Sequence, residues 1–143
     1  MSQTKRTVSA EDFFAAGLNR TTVLEPDEIV REIAIPSIPS REHRQDYLKF
    51  RIRNSIDFPI VGLAFLLNTR NNIIKDARIA LNAVAPIPRR LKAVEAFLKG
   101  RPINEATAQT AGELAVKDAA PLQKNRYKLQ VVKALLKKAI LAE

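Results

Sequence analysis

Between Tyr47 and Arg53 the chain alternates strictly. Leu48, Phe50 and Ile52 are apolar; Tyr47, Lys49, Arg51 and Arg53 are aromatic or cationic. A period of two marks a strand with one face in a core. The pattern predicts a strand over 46–53, buried on the Leu48 side and cationic on the other. Asn54-Ser55 breaks the alternation, and Asn54 to Pro59 reads as a turn or a single helical turn. Ile60 to Leu67 is apolar throughout. Its length points to a strand, Val61 to Leu67, rather than a helix. Asn68 to Asn72 reads as a hairpin loop. Ile73 to Val84 reads as the returning strand, with Ala77, Ile79, Leu81 and Ala83 on one side.

Upstream, Ser9 followed three residues later by Asp12 matches a helix-capping signal, beside a small apolar cluster at Phe13-Phe14. Residues 17–22 read as a loop and Glu25-Pro26-Asp27 as a turn. Glu28 to Ile35 is rich in β-branched residues and is expected to be a strand, ended by Pro36 and Pro39. Residues 37–44 form a polar connection. Downstream of Ala85-Pro86-Ile87-Pro88 the period becomes helical. One helix is expected over 89–99, with Leu91, Val94 and Leu98 inward and Gly100 just past its end. Asn104 is the candidate N-cap of a second helix running to about Asp118, with Ala108, Ala111, Leu114 and Ala115 along its apolar side. A third, 124–141, turns Val132, Leu135, Leu136 and Ala139 inward and shows Lys133 and Lys137 as a solvated stripe. Strands first and helices last give an α+β fold: an antiparallel sheet of three to four strands packed against a three-helix layer.

A chain of 143 residues reads as one domain, large enough to bury a core without staples. It has no cysteine, which removes disulfides, thiolate metal sites and cysteine catalysis. The N-terminus lacks an apolar signal core, and the longest apolar run is far short of a membrane span. The expectation is a cytoplasmic chain with no membrane partner. The formal charge of +9 favours an anionic partner. With two tyrosines and no tryptophan, a base-stacking surface is poorly supplied, which argues against nucleic acid.

Motifs for catalysis are missing. There is no GxSxG, HExxH, P-loop or GxGxxG, and four scattered glycines cannot build a phosphate cradle. The single histidine, His43, sits in the polar connection and reads as a surface residue rather than a base or ligand. The sequence does not resemble a complete enzyme. Lys49 and Arg51, on the cationic face, are the ligand-contact candidates, against the alternative of a solvated strand face. Asp57 can pair with Arg53, four positions earlier, or cap the following turn.

Two segments carry a family resemblance: Tyr47-Leu48-Lys49 through Arg53 to Asp57-Phe58-Pro59-Ile60-Val61, and Asp76 through Asn82-Ala83-Val84-Ala85-Pro86 to Arg89. With Leu98-Lys99-Gly100-Arg101-Pro102, Tyr127-Lys128 and the basic final helix, they resemble the C-terminal domain of the FAD-binding (medium) subunit of molybdenum hydroxylases. That family includes xanthine dehydrogenase, carbon monoxide dehydrogenase and 4-hydroxybenzoyl-CoA reductase. Ala10 to Phe14 and Leu24 to Pro36 resemble the family's entry into this domain. The resemblance implies residues 1–27 as an N-terminal arm and 28–143 as the flavoprotein C-terminal domain. It implies electron transfer between iron–sulfur clusters, FAD and an acceptor, with molybdopterin and iron–sulfur clusters on other subunits. It implies that Lys49 approaches the pyrimidine edge of the flavin and that Arg53 and Asp57 lie beside the acceptor pocket. The family's glycine-rich FAD-pyrophosphate loops belong to N-terminal domains that this sequence does not contain, so FAD binding is expected only with a partner FAD-binding domain. Two alternatives stand beside this: a basic stand-alone module for nucleic acid or an acidic protein, and an assembly surface forming homo-oligomers.

Overall fold

In the computed structural model, residues 5–17, 19–38, 43–54 and 57–141 are described. Parts of the expected 37–44 connection and 54–59 turn therefore lie outside the described residues. The chain divides into two compact units, 1–37 and 38–143.

In the first unit, α1 (Ala10–Phe13) is a single turn whose cap follows the sequence signal: the Ser9 side chain accepts from the Asp12 N–H. Phe14 and Thr22 form an antiparallel bridge. The Glu25 carbonyl accepts from the Glu28 N–H, closing the expected turn. Arg6 grips the Glu28 carboxylate with two hydrogen bonds, Nε to Oε1 at 2.7 Å and Nη2 to Oε2 at 2.6 Å. Arg6 is the main reason the Glu28 carboxyl falls to about 2; the Glu25 N–H on the same carboxylate adds to it. The strand expected over 28–35 is not formed. Those residues pair with no sheet, and Ile29, Ile33 and Ile35 are more than 80% exposed. β-branched composition favours extended backbone, but a strand also needs a neighbouring edge to bond to.

The second unit holds a four-stranded antiparallel meander, ordered β1-β2-β3-β4. β1 is His43–Phe50, β2 Val61–Arg70, β3 Ile73–Asn82 and β4 Arg89–Arg90. β1 starts and ends three residues earlier than the alternation predicts. His43 opens this strand rather than lying in a loop. Ile52 falls beyond the strand and is exposed, and Phe50 is only half-covered. Leu48 alone of the three apolar residues packs on the core. The expected Asn68–Asn72 loop tightens to two residues. Asn71 and Asn72 have φ of 51° and 60°, the left-handed pair that a two-residue hairpin with matching twist requires. Asparagine tolerates that region better than other side-chain-bearing residues. At the far end β3 stops at Asn82. Ala83, expected on the core face, turns to a φ of 62° and leaves the ladder.

β4 was not anticipated. Arg89 and Arg90 pair with Leu81 and Ala80, which delays the first long helix, α2, to Lys92–Leu98. Gly100 takes a φ of 80° just past it, as expected. Its N–H donates to the Ile74 carbonyl, and Ile74 in turn donates to Arg101, so the connection after α2 runs along the start of β3. α3 (Glu105–Val116) begins at Asn104, whose side chain accepts from the Thr107 N–H at 2.8 Å. A 3-10 turn, Gln123–Asn125, precedes α4 (Tyr127–Leu141), which therefore starts three residues later than expected.

The core lies between one face of the sheet and the helices. Val61, Leu63, Phe65 and Leu67 of β2, with Ile74, Ala77, Ile79 and Leu81 of β3, meet Val94 and Leu98 of α2 and Val132, Leu136, Ala139 and Ile140 of α4. α2 covers β3, α4 covers β2 and β1, and α3 packs on α2 and α4. The small residues Ala108, Ala111 and Gly112 let α3 approach closely; a side chain at Gly112 would meet Lys133 of α4 at 3.4 Å. Lys133 and Lys137 are not a solvated stripe. They reach across to Glu113 and Glu105 of α3. Arg44, on the core face of β1, donates to the carbonyls of Ala139 and Ile140 near the C-terminal end of α4 and stacks over Phe65 at 5.7 Å. A cation is favoured there by the free carbonyls of the helix end. No helix among the described residues is long and apolar enough to cross a membrane.

Candidate functional site

The helices cover the odd-numbered face of β2, which leaves the other face of the sheet open. Cross-strand register puts Lys49 opposite Gly62, and Gly62 opposite Asn82. Tyr47 lies opposite Ala64, and Ala64 opposite Ala80. At this end the open face has Gly62, Ala64 and Ala80 as a small-residue patch, with Tyr47 and Lys49 on its β1 side. Gly62 leaves room there for the Tyr47 ring. A Cβ at this position would lie 2.9 Å from Tyr47 Cζ and 3.1 Å from Cε2, and closer still to the hydroxyl. The phenol ring lies across the glycine, beside the lysine.

β1 ends because its continuation cannot keep the ladder. Pro59 has no N–H to give, and the chain leaves the ladder after Phe50, whose carbonyl accepts from the Ile60 N–H at 2.8 Å. The described residues on either side of this closure carry the remaining candidates. The half-buried Lys49 ammonium donates to the Asp57 carbonyl oxygen. The Asp57 carboxylate accepts from the Phe58 N–H at 2.9 Å and faces Arg53 Nε at 3.3 Å. The ion pair foreseen between Arg53 and Asp57 is therefore present. Arg53 is 71% exposed, so the pair adds little stability. Among the described residues no carboxylate meets Lys49, because Asp57 offers it only the backbone oxygen and turns its charge to Arg53.

The structure thus brings Lys49, Arg53 and Asp57 to one end of the sheet. Arg51, named with Lys49 as a contact candidate, has left the strand and is exposed. Sequence reasoning placed Tyr47 on the cationic face without giving it a role. The signal available was Gly62, a glycine inside an apolar strand, which marks a place where another group comes close. No cluster of histidine, aspartate and glutamate suited to a metal ion occurs among the described residues. What this corner offers is a fixed, uncompensated ammonium, an aromatic ring and a patch of small residues. Such a set suits the edge and face of a planar group on which negative charge develops.

Residues 46–142 match the family model of the CO dehydrogenase flavoprotein C-terminal domain, and the chain belongs to that family. It is 28% identical over 140 residues to the nicotine 6-hydroxylase medium subunit of Paenarthrobacter nicotinovorans, covering 95% of this chain and 47% of that one. It is 26% identical over 121 residues to the xanthine dehydrogenase FAD-binding subunit of Escherichia coli O157:H7, covering 82% of this chain and 41% of that one. Among solved structures it matches carbon monoxide dehydrogenase from Hydrogenophaga pseudoflava with a TM-score of 0.82 and 28% identity, over 93% of this chain and 46% of that chain. The chain thus spans under half the length of the curated relatives it matches. The likeness agrees with the α+β architecture expected from the sequence.

Proposed function

We propose that this chain is the flavin-covering domain of an FAD-binding subunit in a molybdenum hydroxylase-type oxidoreductase. In this reading, residues 28–143 are the domain and 1–27 the arm leading into it. An FAD-binding domain holds the cofactor's pyrophosphate. Molybdopterin and iron–sulfur clusters sit on partner subunits, and the assembly works in the cytoplasm. The names of the relatives support the flavin assignment, since those relatives are FAD-binding and medium subunits.

The single observation that carries the proposal is the Lys49 ammonium, half-buried, tethered to the Asp57 carbonyl and unmatched by a carboxylate among the described residues. The donor set fits a flavin edge. FAD, when bound, supplies the redox chemistry that passes electrons between iron–sulfur clusters and an acceptor. Lys49 supplies a fixed positive charge and a hydrogen bond to the edge where negative charge accumulates. Asp57 holds that ammonium in place through its backbone while Arg53 keeps the carboxylate occupied. Tyr47, laid over Gly62, limits water at the same corner. None of these residues moves a proton in the reading; they bind, orient and screen.

The test is a flavin titration by fluorescence quenching, with this chain alone and then co-expressed with an FAD-binding domain of the same family. Binding is expected only with the partner. Lys49→Ala should weaken it by about tenfold, the loss of one charge-assisted hydrogen bond. If adding this chain leaves the partner's flavin affinity unchanged, the proposal fails.

A further inference from the structure

A concavity lies on the helix side of the sheet, where β3 passes into β4. It is a cleft of about 640 Å3 between the 84–94 segment, the C-terminal end of α3 and the N-terminal end of α4. Leu81, Leu114, Leu129 and Val132 give it apolar walls. Clefts of roughly 300–1,000 Å3 are the size that takes small organic ligands.

The charge around it is one-sided. Arg89, Arg90, Lys92 and Lys128 line the cleft, against Asp118 as the acid. Arg90 is committed to Glu95. Lys128 is half-buried and donates to the Ala83 carbonyl at 2.7 Å. That contact ties Lys128 to the left-handed Ala83, next to Val84 in the cleft wall. Lys128 also sits in the first turn of α4, which contains no acidic residue. The free N–H groups of a helix start add to positive potential rather than relieving it. Among the described residues, no carboxylate pairs with Lys128 or with the exposed Arg89. A positive field over an apolar wall is complementary to a molecule with a negative head and an apolar body.

We propose that this cleft binds a small amphipathic organic anion, a carboxylate or sulfonate on an apolar body. The head lies against Lys128 and Arg89, and the body against Leu114 and Leu129. The site shares no residue with Lys49, Arg53 or Asp57, and the inference stands apart from the flavin reading.

The probe is 8-anilinonaphthalene-1-sulfonate, titrated by fluorescence into the whole chain. One saturable site per chain is expected. Arg89→Glu should weaken it by about tenfold through loss of the charged contact. Ala119→Trp, at an exposed lining position where an indole fills the cleft, should abolish it. Decanoate should displace the dye and decanol should not. Both substituted residues are exposed, and far-ultraviolet circular dichroism checks that the fold is kept. Absence of a saturable site, titrations identical to the parent in both variants, or displacement by decanol as readily as by decanoate would each overturn the proposal.

Discussion

Gly62 and Tyr47 give a prediction whose size follows from the structure. At an unobstructed strand position, replacing glycine by alanine stabilises by roughly 0.5–1 kcal/mol, because the unfolded chain loses freedom. At Gly62 the new methyl would lie 2.9 Å from Tyr47 Cζ, so the ring has to move. Tyr47 is about half exposed and can swing away rather than force the sheet apart. Leaving its preferred rotamer costs about 0.5–1.5 kcal/mol. Gly62→Ala in the natural chain should therefore be close to neutral or mildly destabilising. In a Tyr47→Ala background the same change should stabilise by about 0.5–1 kcal/mol. The coupling in the double-mutant cycle is then the cost of displacing the ring, about 0.5–1.5 kcal/mol. Urea unfolding with a shared m-value measures it. Equal stabilisation in both backgrounds would show that the ring does not lie over the glycine.

Leu136 is fully buried and Leu122 is 75% exposed. Leu136→Ala should cost about 2–5 kcal/mol in urea unfolding, and Leu122→Ala no more than about 0.5; similar losses would contradict the placement of the core. In the hairpin, Asn71→Val should cost about 1–2 kcal/mol while Asn71→Gly is neutral or better, because only the former pays for a left-handed φ. Near-equal effects on thermal midpoint would argue against the two-residue turn. Glu28 should titrate at about 2 in an NMR pH series, and Arg6→Gln should return it toward the ordinary glutamate range. The sign follows from the lowered value: the stabilisation is full above the unfolded pKa near 4.5 and is lost as pH falls toward 2. A Glu28 transition that ignores Arg6→Gln would rule out that contact as the cause.

Much of the fold was legible because its signals are local. The apolar run from Val61 to Leu67, the Asn104 cap and Gly100 after α2 each state their structure within a few residues. So does the Arg53–Asp57 pair, whose four-residue spacing was enough to suggest it. What escaped reading depends on distant partners. The isoleucines of 28–35 announce extended backbone but not whether an edge is there to receive it. Lys133 and Lys137 look solvated along their own helix and are paired only because α3 sets Glu113 and Glu105 beside them. β4 is two residues long, too short for any period to show. The early start of β1 was hidden because Arg44 breaks the polar–apolar logic: a guanidinium on the core face is stable only with the end of α4 there to accept it.

That same contact has a bearing on how the protein is made. Arg44 is bonded to residues 95 and 96 positions further along the chain. The strands emerge from the ribosome well before α4 does, and the Leu63 and Leu67 surface that α4 will cover stays bare in the interval. A nascent sheet with one greasy side is a substrate for chaperones and an invitation to pair with its neighbours on a polysome. The long separation delays closure of the sheet until α4 has emerged. Synonymous changes that slow elongation between 83 and 127 would lengthen the exposure and lower soluble yield without altering a single residue of the finished protein.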